Sequence, residues 1–173
     1  MFFGKILPTG FIPEEDQGFI LANVQLPDAS SLERTDKGAK DVERIMMQTA
    51  GVQSVTTISG YSLLTQAYAS NTGFFFVTLK PWEERPEHPA PKIIAAINAR
   101  LSNEIKEGMA FAFGPPAIPG LGTGSGFSMM LQDRSGQSPE YLAAQAQKFI
   151  EAAKTRPEIG RITTVYRASV PQV

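Results

Sequence analysis

The order of hydrophobic patterns along the first 113 residues restricts the fold more than any other feature of the sequence. Phe19 to Leu26, FILANVQL, alternates as a strand does and puts Phe19, Leu21, Asn23 and Gln25 on one face. Pro27 to Ser30 turn the chain. Leu32, Ala39, Val42, Ile45, Met46 and Thr49 then recur at helical spacing. Ser30-Ser31-Leu32-Glu33 reads as a capping box, with Glu33 reaching back to the Ser30 amide. Gly38 interrupts that helix at a cost of roughly 1 kcal/mol relative to Ala, with no reason visible in the sequence. Val52 to Ser59, VQSVTTIS, and Phe74 to Leu79, FFFVTL, are strand-like. A second helix starts near Pro91 and buries Ile93, Ile94, Ile97, Leu101 and Ile105, and Gly108 stops it. Met109 to Phe113 is a short strand.

The resulting order is βαββαβ. It predicts an α+β, ferredoxin-like subdomain in which two helices cover one face of an antiparallel sheet. Gly60 to Gly73 is expected to be a loop, long for its place between two strands and free of charge, carrying Tyr61, Leu63, Leu64 and Tyr68. A repeat follows. Residues 24–34 line up without a gap on 131–141, and residues 52–59 line up on 159–166 at the same offset of 107. Ser138 before Pro139 is again a helix start, with an apolar stripe of Leu142, Ala146, Phe149, Ile150 and Ala153. The repeat predicts a partial second βαβ unit of the same type, with a strand between the glycine–proline stretch and this helix. A lone βαβ cannot cover its own apolar faces, so the sequence reads as a piece of a larger protein.

Several chemistries are excluded. The 16 basic and 17 acidic residues nearly cancel, and no basic run offers a nucleic-acid footprint. Without cysteine and with one histidine, zinc–thiolate sites, cysteine nucleophiles and disulfides are ruled out. His88 sits between prolines on a polar loop and reads as a solvated turn residue. Glu14-Glu15-Asp16 and Glu83-Glu84 lack the alternating ligand spacing of a calcium loop and read as solvated or salt-bridged. The stretch Met109–Phe127, MAFAFGPPAIPGLGTGSGF, has neither the glycine spacing of a dinucleotide fold nor the lysine of a phosphate loop. No catalytic residue, metal site or cofactor is expected, and the chain is not read as an enzyme. No segment approaches the roughly 20 apolar residues of a membrane span.

The remaining chemistry is aromatic. Phe74 and Phe76 alternate on one face of a strand, as do Phe111 and Phe113 on another. They form either an ordinary core face or an apolar ligand site beside adaptable loops, and the pattern leaves both open.

Three stretches, LPTGFIPEEDQGFILANVQLP, NTGFFFVTLKPWEERP and FAFGPPAIPGLGTGSGF, resemble the periplasmic porter region of resistance-nodulation-division (RND) efflux transporters, in the hydrophobe/amphiphile, AcrB-like branch. The resemblance covers essentially the whole chain. It implies a tail from a preceding membrane helix over residues 1–13, a first porter subdomain over 14–119 and an incomplete second over 120–173. It also implies a proton-driven multidrug exporter of the Gram-negative inner membrane, working as a homotrimer with a periplasmic adaptor protein and an outer-membrane channel. Its cargo would be hydrophobic or amphiphilic drugs, antibiotics included. By the same resemblance Phe76, Phe111 and Phe113 match the phenylalanines of a deep drug pocket, Phe74 an apolar neighbour and Leu21 a pocket methionine, with Pro115 beside them. Gly60 to Asn71, including Tyr61, Ser62, Leu63 and Leu64, matches a switch loop between two pockets. Here Tyr61 and Leu63 replace phenylalanines, the loop lacks the family's arginine, and Gly120 stands where some relatives have an acid. Fewer charges imply a more neutral or apolar substrate range. Apart from the resemblance, the pattern also suits a free-standing ferredoxin-like ligand-binding or assembly module.

Overall fold

A computed structural model describes residues 15–116 and 129–157, together with 159, 162, 164, 166 and 168. The predicted tail over residues 1–13 and most of the glycine–proline stretch lie outside the described residues. The chain divides into two compact units, one holding residues 15–116 and the other the described residues from 129 onward.

The first unit runs β1 (Phe19–Gln25), α1 (Leu32–Met47), β2 (Val52–Ser62), β3 (Ala67–Leu79), α2 (Ala90–Glu104) and β4 (Met109–Phe113). Every strand pairing is antiparallel and the spatial order is β2-β3-β1-β4, the arrangement of a ferredoxin-like unit. The strands alternate, so one face collects Ile20, Ala22, Val24, Phe75, Val77, Leu79, Ala110 and Ala112. Onto it α1 lays Ala39, Val42, Ile45 and Met46, and α2 lays Ile93, Ile97 and Leu101. Full burial of each large apolar side chain contributes on the order of 1.5–3 kcal/mol. Gly38 acquires a reason here, because a Cβ at that position would stand 3.4 Å from both methyl carbons of Leu26.

Three expectations need correction. The α1 cap is Ser31, whose Oγ accepts from the Arg34 amide, because the Ser30 hydroxyl donates instead to Pro27 O within the preceding turn. The expected loop Gly60–Gly73 is mostly the extension of a β2–β3 hairpin, with only residues 63–66 turning. Gly60 and Gly73 look like breakers but serve the sheet. Gly60 sits at φ +83°, in the register shift between Ser59 and Tyr61. A Cβ on Gly73 would come within 2.9 Å of Val24 Cγ1 on the neighbouring strand. In the second unit the predicted helix is present as α3 (Pro139–Lys154), capped by Ser138 Oγ on the Tyr141 amide. The strand expected before it is absent from residues 129–134. A strand exists only with a partner for its N–H and C=O groups, and none reaches these residues among those described. The strand expected at 159–166 lies largely outside the described residues.

A buried ion pair ties the approach to β1 to the connection between β3 and α2. Arg85, with its side chain 1% exposed, donates through both terminal nitrogens to the Asp16 carboxylate at 2.6 and 2.7 Å. Asp16 Oδ2 also accepts from the Ala90 amide at 2.8 Å. Helix α2 has no cap of its own, since Pro89 precedes it, so a carboxylate distant in sequence serves its N-terminus. Hydrogen bonding from Arg85, reinforced by the Ala90 and Gly18 amides, holds the Asp16 carboxyl well below the usual carboxylate range against the opposing effect of burial. His88 is exposed on this connection, as expected, and its carbonyl accepts from Arg85.

Replacing Asp16 with Ala strands a buried guanidinium and is expected to cost about 3 kcal/mol in urea unfolding. The Asp16 contribution is fully present above the unfolded carboxyl value of 3.8 and declines as pH falls below it, because the folded-state pKa is depressed. The difference between wild type and Asp16→Ala is therefore expected to shrink as the pH of the denaturation is lowered beneath that value. Gly73→Ala is expected to lose about 1–3 kcal/mol by overpacking Val24, visible as an earlier unfolding midpoint with an unchanged slope.

Candidate functional site

The sheet has a second face, opposite the helices, and strand register decides what stands on it. Leu21 of β1 lies opposite Phe76 of β3 and Phe113 of β4. Asn23, two residues on, lies opposite Phe74 and Phe111. On the far side of β3, Thr56 pairs with Phe76 and Ile58 with Phe74. Two parallel rows result, Thr56–Phe76–Leu21–Phe113 and Ile58–Phe74–Asn23–Phe111. The five strand residues picked out by resemblance, Leu21, Phe74, Phe76, Phe111 and Phe113, thus share one face.

The rings support one another. Phe19 stacks on Phe76 with centroids 4.8 Å apart, and Phe111 meets Phe113 at 5.8 Å. Tyr61, delivered by the Gly60 bulge, turns its ring edge-on to Phe74 at 6.5 Å and leans on Tyr68 at 5.3 Å. Each such pair contributes about 0.5–1.5 kcal/mol beyond burial. Leu21, Phe74 and Phe111 are buried, whereas Phe76 is 39% exposed and Ile58 46% exposed. The face therefore has a packed centre and an open apolar side along β2 and β3.

The hairpin residues divide. Leu63 and Leu64 are half-buried in the turn, and the Ser62 Oγ accepts from the Thr65 amide. Asn71 serves the sheet, since its Nδ2 donates to Leu26 O and its carbonyl accepts from the Leu26 amide. Pro115 is half-buried just beyond β4, and the carbonyl of its neighbour Pro116 accepts from Gln17 Nε2.

The strand positions on this face, from Phe19, Leu21, Asn23 and Gln25 through Thr56, Ile58, Phe74, Phe76, Thr78, Met109, Phe111 and Phe113, include no charged side chain. A cleft of about 550 Å³ runs on the helix side past Arg34, Lys37, Asp41, Glu104, Lys106 and Glu107. Its mixed charges suit water better than an apolar molecule. Among the described residues no three potential ligands are grouped for a metal, and no helix is long and apolar enough to cross a membrane. Asn23 and the choice of Arg85 as the partner of Asp16 do not follow from the sequence pattern, which for Asp16 indicates only a solvated or salt-bridged carboxylate. A polar residue at the middle of the FILANVQL alternation was the available signal for the first, and nothing local signalled the second.

Fold and face together define an α+β unit with an aromatic, uncharged surface fitted to apolar contact. The chain belongs to the AcrB/AcrD/AcrF family, whose sequence profile matches residues 1–173. It is 38% identical over 155 residues to the multidrug export protein AcrF of Escherichia coli (strain K12), covering 87% of this chain and 15% of that protein. It is 36% identical over 149 residues to the multidrug/solvent efflux pump membrane transporter MepB of Pseudomonas putida, covering 85% of this chain and 14% of that one. The solvent-resistant pump membrane transporter SrpB of the same species matches at 30% over 171 residues, covering 96% of this chain and 16% of that protein. The chain thus spans about one-seventh of the length of these curated relatives.

The two halves of the aromatic face should respond differently to truncation. Phe74→Ala is expected to cost about 3–5 kcal/mol as a buried ring. Phe76→Ala, at the open side, is expected to cost less than half as much in the same chemical denaturation series.

Proposed function

We propose that this chain is the substrate-binding porter part of a proton-driven multidrug efflux pump, and that it binds and passes hydrophobic or amphiphilic drugs on the sheet face opposite α1 and α2. The observation that carries the reading is the convergence of Leu21, Phe74, Phe76, Phe111 and Phe113 on one uncharged face. Family membership supports the same direction, since the relatives' own names are those of multidrug and solvent efflux pumps. In this reading residues 14–119 form the first porter subdomain and residues 120–173 belong to a second. The whole stands in the periplasm as part of an inner-membrane homotrimer, with an adaptor protein and an outer-membrane channel. Tyr61, Leu63 and the β2–β3 hairpin tip form one wall of the binding region, and Pro115 the opposite margin.

The physics of such a face matches the task. Ring faces and aliphatic edges hold flat apolar bodies through many small contacts with loose geometry. Removing water from that surface supplies most of the affinity, roughly 25 cal/mol per Å² before the costs of association. Broad acceptance at modest affinity follows, as a protein that must release its cargo requires. With no carboxylate on these strands, a cationic ligand gains only the attraction of ring faces. Neutral substrates are therefore favoured over cations of similar size.

The test is efflux by the complete transporter. Phe111→Ala with Phe113→Ala, and separately Phe76→Ala, are expected to raise cellular accumulation of a neutral dye such as Nile red severalfold at unchanged protein level. Because Phe76 is open to solvent, its variant separates loss of contact from loss of fold. Unchanged accumulation in the Phe76→Ala and double variants contradicts the assignment, and preferential export of a cationic dye contradicts the charge argument.

A further inference from the structure

One polar side chain stands at the centre of the aromatic face. Asn23 is 3% exposed, and among the described residues its Oδ1 has no hydrogen-bond partner. Its direct cross-strand neighbours on either side are Phe74 and Phe111. Along its own strand the same face continues with Leu21 and Gln25. Strand β1 is paired on both edges, so its backbone makes no call on the Asn23 amide.

Such an arrangement is unfavourable for folding alone. Asparagine is a poor strand residue, and a buried carbonyl without a donor retains its full desolvation penalty. A leucine or methionine at this position would remove both costs. The other buried side-chain atom lacking a partner among the described residues, Thr35 Oγ1, lies on the buried stripe of α1. Asn23 differs because its face is the one bordered by open apolar surface at Phe76 and Ile58.

We propose that Asn23 is the polar selector of this face, its amide carbonyl accepting a hydrogen bond from a hydroxyl or N–H group on an otherwise apolar ligand. The proposal rests on the reading of the face as a ligand site. Aromatic contacts alone grip any flat apolar body, whereas a single acceptor among rings discriminates sharply. A ligand lacking the donor leaves the carbonyl dry and unpaired, and a ligand offering one repays the penalty built into the fold. The ligand class is an uncharged amphiphile, such as a phenol, an alcohol or an N–H heterocycle carried on a flat apolar frame.

Three probes of nearly one shape separate the possibilities: 1-naphthol, which donates and accepts, 1-methoxynaphthalene, which only accepts, and 1-methylnaphthalene, which does neither. Their equilibrium binding is measured on the purified full-length transporter. Asn23→Leu is expected to reduce the affinity of 1-naphthol relative to 1-methylnaphthalene by about three- to tenfold, and Asn23→Ala to do the same should leucine crowd the site. The melting temperature of the ligand-free Asn23→Leu protein is expected to rise. Phe76→Ala is expected to weaken all three probes alike. An unchanged ratio in both Asn23 variants, with Phe76→Ala still weakening every probe, overturns the selector and leaves the aromatic site standing. No effect of any of these variants on any probe overturns the site and the selector together. Loss of 1-methoxynaphthalene rather than 1-naphthol binding in Asn23→Leu, or a fall in its melting temperature, also overturns the proposal.

Discussion

Strand β1 is the constraint on which the rest of this unit depends. It is hydrogen-bonded along both edges, to β3 on one side and β4 on the other, and its side chains from Ile20 to Val24 are buried. A strand has period two, so its even positions, Ile20, Ala22 and Val24, fix where the helices pack. Its odd positions, Leu21 and Asn23, fix which rings of β3 and β4 stand together. A slip of one residue would exchange the two sets and place Asn23 in the helix-covered core. Such a slip is opposed from both directions, by aliphatic packing under α1 and α2 and by ring packing on the other side.

The two faces follow different packing rules. Beneath the helices, branched aliphatic side chains and small residues interlock, and Gly38 and Gly73 are retained where a single added carbon would press on Leu26 or Val24. On the opposite face, rings meet at stacked, tilted and edge-on angles, an arrangement that tolerates a foreign flat molecule better than an interlocked aliphatic core does. The Asp16–Arg85 pair holds this division in place at the margin. It anchors the segment entering β1 and closes the start of α2, so the central strand and one covering helix share a fixed point.

Much of this was legible in the sequence because it is periodic. The α1 and α2 stripes, the β1 alternation and the Phe111/Phe113 spacing each follow from local pattern, and their order yields the βαββαβ fold. The extension of the β2–β3 hairpin between Gly60 and Gly73 is not legible, because those glycines mimic loop punctuation and the residues between them carry neutral side chains with weak contrast between faces. The one-residue error at the α1 cap arose from adjacent serines, which only the turn hydrogen bond to Pro27 distinguishes. Pairings such as Asp16 with Arg85 depend on tertiary proximity across a sequence separation of 69 and carry no periodic signal. Asn23 was visible as the polar exception in an apolar run, but its significance depends on the two rings that register brings beside it.

Ligand is proposed to sit on the sheet face opposite α1 and α2. The chain contains no cysteine, so single cysteines can be placed by Phe76→Cys on that face and by Lys40→Cys on the solvent side of α1, within a full transporter otherwise freed of cysteine. The measurement is the rate of maleimide labelling with and without a transported neutral dye. Bound dye is predicted to slow labelling at position 76 while leaving position 40 unchanged; equal rates with and without dye at position 76, under conditions of saturating transport, would contradict the account.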